Sequence, residues 1–442
     1  MNTPIYDFVK KYIADEKIRL HMPGHKGKNL LGFEEYDITE FDGADCLYHA
    51  EGIIKESEDN LTEIYDTGAS FYSCEGSSLS IRAMLYLAKL YTNGSYIMAG
   101  RNAHSTLISA AALIGFDIEW LYPSDISSYL SCVITPKELE NHLRCVDNLP
   151  FCVYITSPDY LGNISDIKGL SQVCQKFGVM LLVDNAHGAY LKFLENDIHP
   201  ITLGATMCTD SAHKTLPALT GGAYLHISKS APDFFKENAK SALSLFGSTS
   251  PSYLILSSLD RVNKYLCDGY REKLSIFIKK LSNLKSVLIK NGYTFSGNEP
   301  MKLTLEAKKY GYRGVDFANL LKDKGIVCEF CDEDFCVLML TPEFTDHELD
   351  YIKNAFLSIK KREEILTEAQ KTVKPQKVMS IRKAIMSPRE KISIENASGR
   401  ILAGLSVSCP PAVSLIVAGE KLTFNETKMC KALDISSVYV VK

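Results

Sequence analysis

The chain has 442 residues, 46% of them apolar and 23% charged, enough for two or three domains with separate cores. A net charge of −4 gives no reason to expect nucleic acid or an anionic membrane surface as a partner. Lys10, Lys11, Asp15, Glu16 and Lys17 break up the N-terminus, which excludes a signal-peptide core, and no apolar run reaches the roughly eighteen residues of a spanning helix, so the expectation is a cytoplasmic protein.

In chain order, apolar residues at three- and four-residue spacing predict a helix over Ser80–Leu90 (SIRAMLYLAKL). Short apolar runs at Ser95–Ala99 (SYIMA) and Phe151–Thr156 (FCVYIT) read as strands buried on both faces. A second helix, Ile167–Phe177 (IKGLSQVCQKF), and a third buried strand, Val179–Val183 (VMLLV), follow. Such alternation predicts an α/β layer with a mainly parallel sheet. After a helix-rich stretch near Ser258–Lys290, the pattern changes. Strands at Met301–Glu306, Ile326–Phe330 and Phe335–Leu340, with helices at Val315–Lys324 and Thr345–Ser358, predict a smaller α+β domain. Lys360–Lys377 is charged, contains Pro375 and reads as a helix end and linker. The last segment, Ser380–Lys442, carries Pro388, Pro410 and Pro411 between short strand-like runs. The 13 cysteines are scattered and read as reduced thiols, with no metal site expected. Cys328, Cys331 and Cys336 lie close in sequence without a matching histidine or cysteine cluster, and a zinc site there is the alternative.

Three stretches bear on chemistry. VMLLVDNAHGAY, Val179–Tyr190, ends a buried strand at Asp184, and ligands of open α/β sheets bind beyond the carboxyl ends of strands. A carboxylate there either caps the next helix or holds a pyridinium nitrogen protonated, as pyridoxal phosphate (PLP) chemistry requires. His187 lies three residues further on. CEGSSLSIRAM, Cys74–Met84, opens a helix with Gly76, Ser77 and Ser78, either as a plain cap or as a phosphate cradle of N–H groups, helix dipole and hydroxyls. TDSAHKTLPALTGG, Thr209–Gly222, holds Lys214 after Ser211 and His213. Alone this lysine reads as a solvated cation; in the order cradle, Asp, Lys it reads as an amine kept partly desolvated to form a Schiff base.

The chain also resembles a known family, the Orn/Lys/Arg decarboxylases. SAHKTLPALTGGAYLH is similar to that family's lysine motif, and RLHMPGHKG, Arg19–Gly27, to its N-terminal signature. DITEFDGADCLYHAEGII resembles the segment that follows in the shorter members. GRNAHSTLISAAALIG, from Gly100, and GSTSPSYLILSSLD, from Gly247, are similar to its Arg-Asn-x-His and Ser-Thr-Ser-Pro-x-Tyr motifs. The resemblance implies PLP fold type I, the aspartate-aminotransferase fold, in a short form without an N-terminal wing domain. The expected layout is an arm at 1–60, a large PLP-binding domain at 61–270, a small α+β domain at 271–370 and a C-terminal domain at 371–442.

The resemblance also implies roles. Lys214 would bond the cofactor covalently, Asp184 would pair with its ring nitrogen and His104 would stack on the ring. Gly76, Ser77, Ser78 and Ser211 would hold the phosphate, His213 and Ala186 would line the cofactor, and His187 would lie near its phenolic oxygen or the substrate. Thr249 and Ser250 would reach the phosphate of a neighbouring subunit, which implies a homodimer or higher homo-oligomer. The implied reaction is decarboxylation of arginine, lysine or ornithine to an amine, with a carboxylate facing the substrate's basic end, for which Asp45 and Glu420 are candidates. Glu75, Ser78, Ser105, Asn185, Tyr190 and the stretch Cys409–Glu420 depart from the family pattern and leave the substrate open. Transamination or a lyase step on the same fold, and a non-catalytic partner of an active paralogue, stay as alternatives.

Overall fold

The computed structural model describes residues 1–124, 128–367, 373–409 and 413–442. The first seven strands in chain order are β1 Ala69–Ser73, β2 Tyr96–Gly100, β3 Asp117–Leu121, β4 Cys152–Thr156, β5 Met180–Asp184, β6 Met207–Asp210 and β7 Ala223–Ile227. The described chain divides into two compact units, Met1–Asn93 with Leu170–Leu274, and Gly94–Gly169 with Ser275–Lys442.

In the first unit the strand order is β1-β7-β6-β5. β5 and β6 are parallel, with Asp184 opposite Thr209, whereas β7 runs antiparallel to both β6 and β1. β5 reads Met-Leu-Leu-Val because a parallel strand covered on both faces leaves no polar side. The helix Gly76–Thr92 buries Leu79, Ile81, Met84, Leu85 and Leu87, each contributing about 2 kcal/mol through burial. Its sequence-predicted core, Ser80–Leu90, lies inside these bounds.

In the second unit the order is β4-β2-β3, all parallel. A four-stranded antiparallel sheet, order β10-β11-β9-β8, comprises β8 Phe295–Ser296, β9 Lys302–Glu306, β10 Phe330–Cys331 and β11 Phe335–Met339. Two further antiparallel pairs complete the unit: β12 Arg389–Ser393 with β15 Ser437–Val441, which are far apart in the chain, and β13 Ser406–Cys409 with β14 Val413–Val417. Leu161, Phe330, Val337, Leu415, Ile416 and Val440 share one buried core in this unit. The helix Asp346–Leu357 begins where the sequence signals it: Thr345 and Glu348 form a reciprocal capping box.

The expected strand Ile326–Phe330 shrinks to β10, because Gly325 turns the chain at φ +75° and Val327 faces solvent. Residues 368–372 of the expected linker, and Pro410 and Pro411 of the last segment, lie outside the described residues. Among the described residues, no helix is long and apolar enough to cross a membrane.

Candidate active site

Three strand ends of the first unit converge. β5 delivers Asp184, which is buried, with its Oδ1 accepting the Ala186 N–H at 3.3 Å. The chain then turns tightly, Gly188 N–H to Asn185 carbonyl at 2.8 Å. A side chain at 188 would meet Asn185 Oδ1 at 2.0 Å, so only glycine fits there. This turn buries His187. β6 ends at Asp210, and Ser211 opens the single helical turn Ala212–Thr215 that carries Lys214. Lys214 Nζ lies 3.1 Å from His187 Nε2. The lysine amine and the ends of two parallel strands thus share one rim, where α/β sheets bind their ligands.

β1 supplies the third end. After Ser73 the chain reaches Gly76 at φ +70°, a left-handed conformation that favours glycine, and its N–H bonds the Gly221 carbonyl at 2.7 Å. Ser77 follows in the first turn of the long helix, and Ser211 Oγ donates to Ser77 Oγ at 2.8 Å. Two hydroxyls from segments 134 residues apart meet at a helix N-terminus, the arrangement that suits an anion. Ser78 follows in the same turn. His213 Nδ1 donates to the Gly222 carbonyl at 2.9 Å, which leaves Nε2 as the acceptor. Burial first, then the Lys214 charge, holds this imidazole below its ordinary pKa. Thr249 and Ser250 are exposed, and Ser248 N–H is held by Glu75 at 2.6 Å.

Beneath Ser211 lies a polar cluster that no local sequence pattern signals. Asp210 is fully buried, with His199 Nε2 at 3.0 Å and His226 Nε2 at 3.4 Å from Oδ2, and Asn185 Nδ2 at 2.7 Å from Oδ1. Burial raises this carboxyl's pKa, but the two histidines outweigh it and hold it well below the usual carboxylate range. Asn185, a departure from the family pattern, thereby ties the ends of β5 and β6 together. Asp210→Asn is expected to cost about 3 kcal/mol, because an amide cannot accept at both oxygens and leaves a buried partner of the carboxylate unpaired, read as a lower urea midpoint. Because the folded pKa is depressed, this stability is present above the roughly 3.9 of an unfolded aspartate and is lost as pH falls through the folded value. Among the described residues, His199, Cys208 and Asp210 form the one group close enough to hold a metal.

His104 lies in the second unit. It caps the helix Ser105–Ala110, with Nδ1 accepting the Thr106 N–H at 3.2 Å, and its backbone bridges Val413. Three residues earlier, buried Arg101 grips Glu420 through two bonds of 2.8 and 2.9 Å. Glu420 is therefore engaged within the fold, which corrects its assignment to the substrate's basic end. Asp45 is likewise occupied, accepting N–H groups from Cys46, Glu51, Gly52 and Ile54 at the start of the helix Ile53–Tyr65.

Residues 3–304 match the family model described as Orn/Lys/Arg decarboxylase, major domain, and residues 360–438 match that family's C-terminal domain. The chain belongs to the Orn/Lys/Arg decarboxylase family. It is 27% identical over 460 residues to an arginine decarboxylase of Bacillus subtilis, covering 95% of this chain and 91% of that one. An uncharacterized protein of the same organism, YaaO, is 28% identical over 453 residues, covering 96% and 92%. Two solved structures share the fold: lysine decarboxylase A from Pseudomonas aeruginosa (TM-score 0.80, 16% identity, 99% of this chain and 80% of that one) and the constitutive lysine decarboxylase of E. coli (0.77, 16%, 100% and 82%). The mixed α/β architecture with a large, mainly parallel sheet is that of PLP fold type I, and the chain is a decarboxylase.

Proposed function

We propose that this decarboxylase uses pyridoxal phosphate and acts on a basic amino acid, arginine ahead of lysine and ornithine. The observation that carries the reading is Lys214 Nζ beside His187, on the rim that also holds Asp184 and the Ser77–Ser211 hydroxyl pair. This donor set fits the cofactor: a primary amine, a buried carboxylate and an anion cradle. Gly76 leaves the cradle open, since a side chain there would meet no heavy atom within 4 Å. Ser77, Ser78 and Ser211 would hold the phosphate, Ala186 would line the ring, and His104 is proposed to face it. Pyridoxal phosphate, when bound, supplies a ring that accepts the electron pair released with CO2. Asp184 would keep a proton at the ring nitrogen, with its carboxylate aimed by the Ala186 N–H. Lys214 Nζ would deliver the proton that replaces CO2 at the α-carbon, and His213 would do so only after its acceptor Nε2 had first taken up a proton.

Arginine comes first because arginine decarboxylases of Bacillus subtilis and Bacillus anthracis match 95% of the chain at 25–27% identity. A homodimer is part of the reading. Thr249 and Ser250 are exposed beside Glu75, and the arm exposes Ile18, Leu20, Leu30 and Leu31, apolar residues suited to a second copy. Glu75 places a carboxylate next to the cradle. Glu75→Gln should tighten pyridoxal phosphate binding about fivefold, equivalent to relieving roughly 1 kcal/mol of repulsion across water. Fluorescence titration of the cofactor-free protein measures it.

The test of function is CO2 release across arginine, lysine, ornithine and neutral amino acids, with the products separated. Turnover of arginine to its amine supports the reading. Formation of a keto acid without CO2, or preference for a neutral amino acid, overturns it.

A further inference from the structure

The three cysteines near residue 330 take no part in the site above. Cys331 stands opposite Cys336 in the β10–β11 register, but the thiol in contact with Cys336 is Cys328, Sγ to Sγ at 3.3 Å. Cys336 is fully buried in β11, between Phe335 and Val337, and cannot be reached from solvent. Cys328 is half-buried and lines a cavity of about 520 Å³ together with Gly325, Leu338, Leu340, His347 and Tyr351. A small molecule entering that cavity meets Cys328 and not Cys336.

The contact is also asymmetric. Cys336 donates its S–H to Cys328, which lowers the pKa of Cys328 below that of an ordinary thiol and pushes Cys336 up. One thiol is accessible and nucleophilic, and its neighbour is buried and protonated; this is the division between attacking and resolving cysteines. A disulfide needs the sulfurs at about 2 Å. The remaining approach falls to the 325–328 loop, which has no regular structure, turns at Gly325 and exposes Val327, while Cys336 is fixed in a central strand.

We propose that Cys328 and Cys336 form a reversible intrachain disulfide, with Cys328 attacking a low-molecular-weight disulfide that has entered the cavity. The Cys328 thiolate bonds one sulfur of the oxidant, the oxidant's S–S bond breaks, and the first small thiolate leaves. Movement of the loop then lets water reach Cys336, which gives up its proton to that water and attacks Cys328, expelling the second small thiolate; both small thiolates take their protons from water. Two protein thiols are oxidised to one disulfide, and one small disulfide is reduced to two thiols. The bond fastens the cavity-lining loop to β11.

The full-length protein is incubated with oxidised glutathione, free thiols are alkylated, and peptides are mapped by mass spectrometry. A Cys328–Cys336 linkage that dithiothreitol reverses is the expected result, and Cys331→Ser should leave it unchanged. Cys336→Ser should trap a glutathione adduct on Cys328, whereas Cys328→Ser should leave Cys336 unmodified. If a variant fails to fold, the wild-type map alone decides. A linkage through Cys331, or reaction confined to the exposed Cys145 and Cys267, overturns the proposal.

Discussion

Replacing Lys214 by arginine or alanine is expected to reduce CO2 release by about four orders of magnitude, the upper range for loss of a positioned proton-transfer group, and to abolish the visible absorbance of protein desalted after loading with pyridoxal phosphate. Arginine keeps the positive charge but has no amine able to form a carbon–nitrogen double bond, so it separates charge from nucleophilicity. The fold should be unaffected. Lys214 belongs to a single helical turn anchored by backbone bonds, Lys214 N–H to the Ser211 carbonyl at 3.0 Å and Leu216 N–H to the Ala212 carbonyl at 2.8 Å, and neither uses its side chain. Stability should therefore fall by no more than about 1 kcal/mol, the net worth of the side chain's hydrogen bond to His187. An arginine variant that retained a tenth of the activity, with normal absorbance, would remove Lys214 from its proposed role and with it the order cradle, carboxylate, lysine. A large loss of stability would assign the lysine to the fold instead.

The elements around Lys214 were legible because each is coded locally. β5 and β4 are apolar runs that need no partner to be recognised, and the helix Ile167–Phe177 has the bounds its periodicity predicts. Gly76 and Gly188 mark turns whose backbone or crowding excludes a side chain. What sequence reasoning missed is coded by distance. Asp210 meets His226 from the neighbouring strand and His199 from a loop, and a periodicity argument has no means of pairing them. The same holds for Ser211 with Ser77, where each hydroxyl was legible but their contact was not. Glu420 is the sharper case. From sequence its carboxylate is a candidate for the substrate's basic end, but its partner stands 319 residues earlier in the chain. The strand expected at Ile326–Phe330 failed for the opposite reason, since an apolar run beside Gly325 leaves Val327 in solvent.

Glu420→Gln is expected to destabilise the second unit by about 3 kcal/mol, the lower end of what breaking a buried ion pair costs. Arg101 and Glu420 are 2% and 3% exposed, so both charges have lost their water. Their geometry offsets that loss: two parallel bonds of 2.8 and 2.9 Å, a third from Arg101 to the Leu415 carbonyl at 2.8 Å, the Val417 N–H on Glu420 at 2.8 Å, and the Trp120 ring 4.8 Å from the guanidinium. Glutamine keeps one acceptor but leaves the guanidinium without a counter-charge. Arg101→Met should cost a similar amount, because it strands the carboxylate. The pair Arg101→Met with Glu420→Leu should recover most of the loss, since a buried ion pair and an apolar replacement of similar volume come out nearly equal. Urea unfolding of wild type, Arg101→Met, Glu420→Leu and the double variant closes a double-mutant cycle, and a coupling of at least about 2 kcal/mol is the expected result. Arg101 stands three residues before His104, and the hairpin that carries Glu420 also bridges the His104 backbone through Val413. Glu420→Gln should therefore also lower kcat, and the double replacement should restore stability more fully than kcat. Equal recovery of both would mean that the pair serves the fold alone; unequal recovery makes the C-terminal hairpin a support for His104.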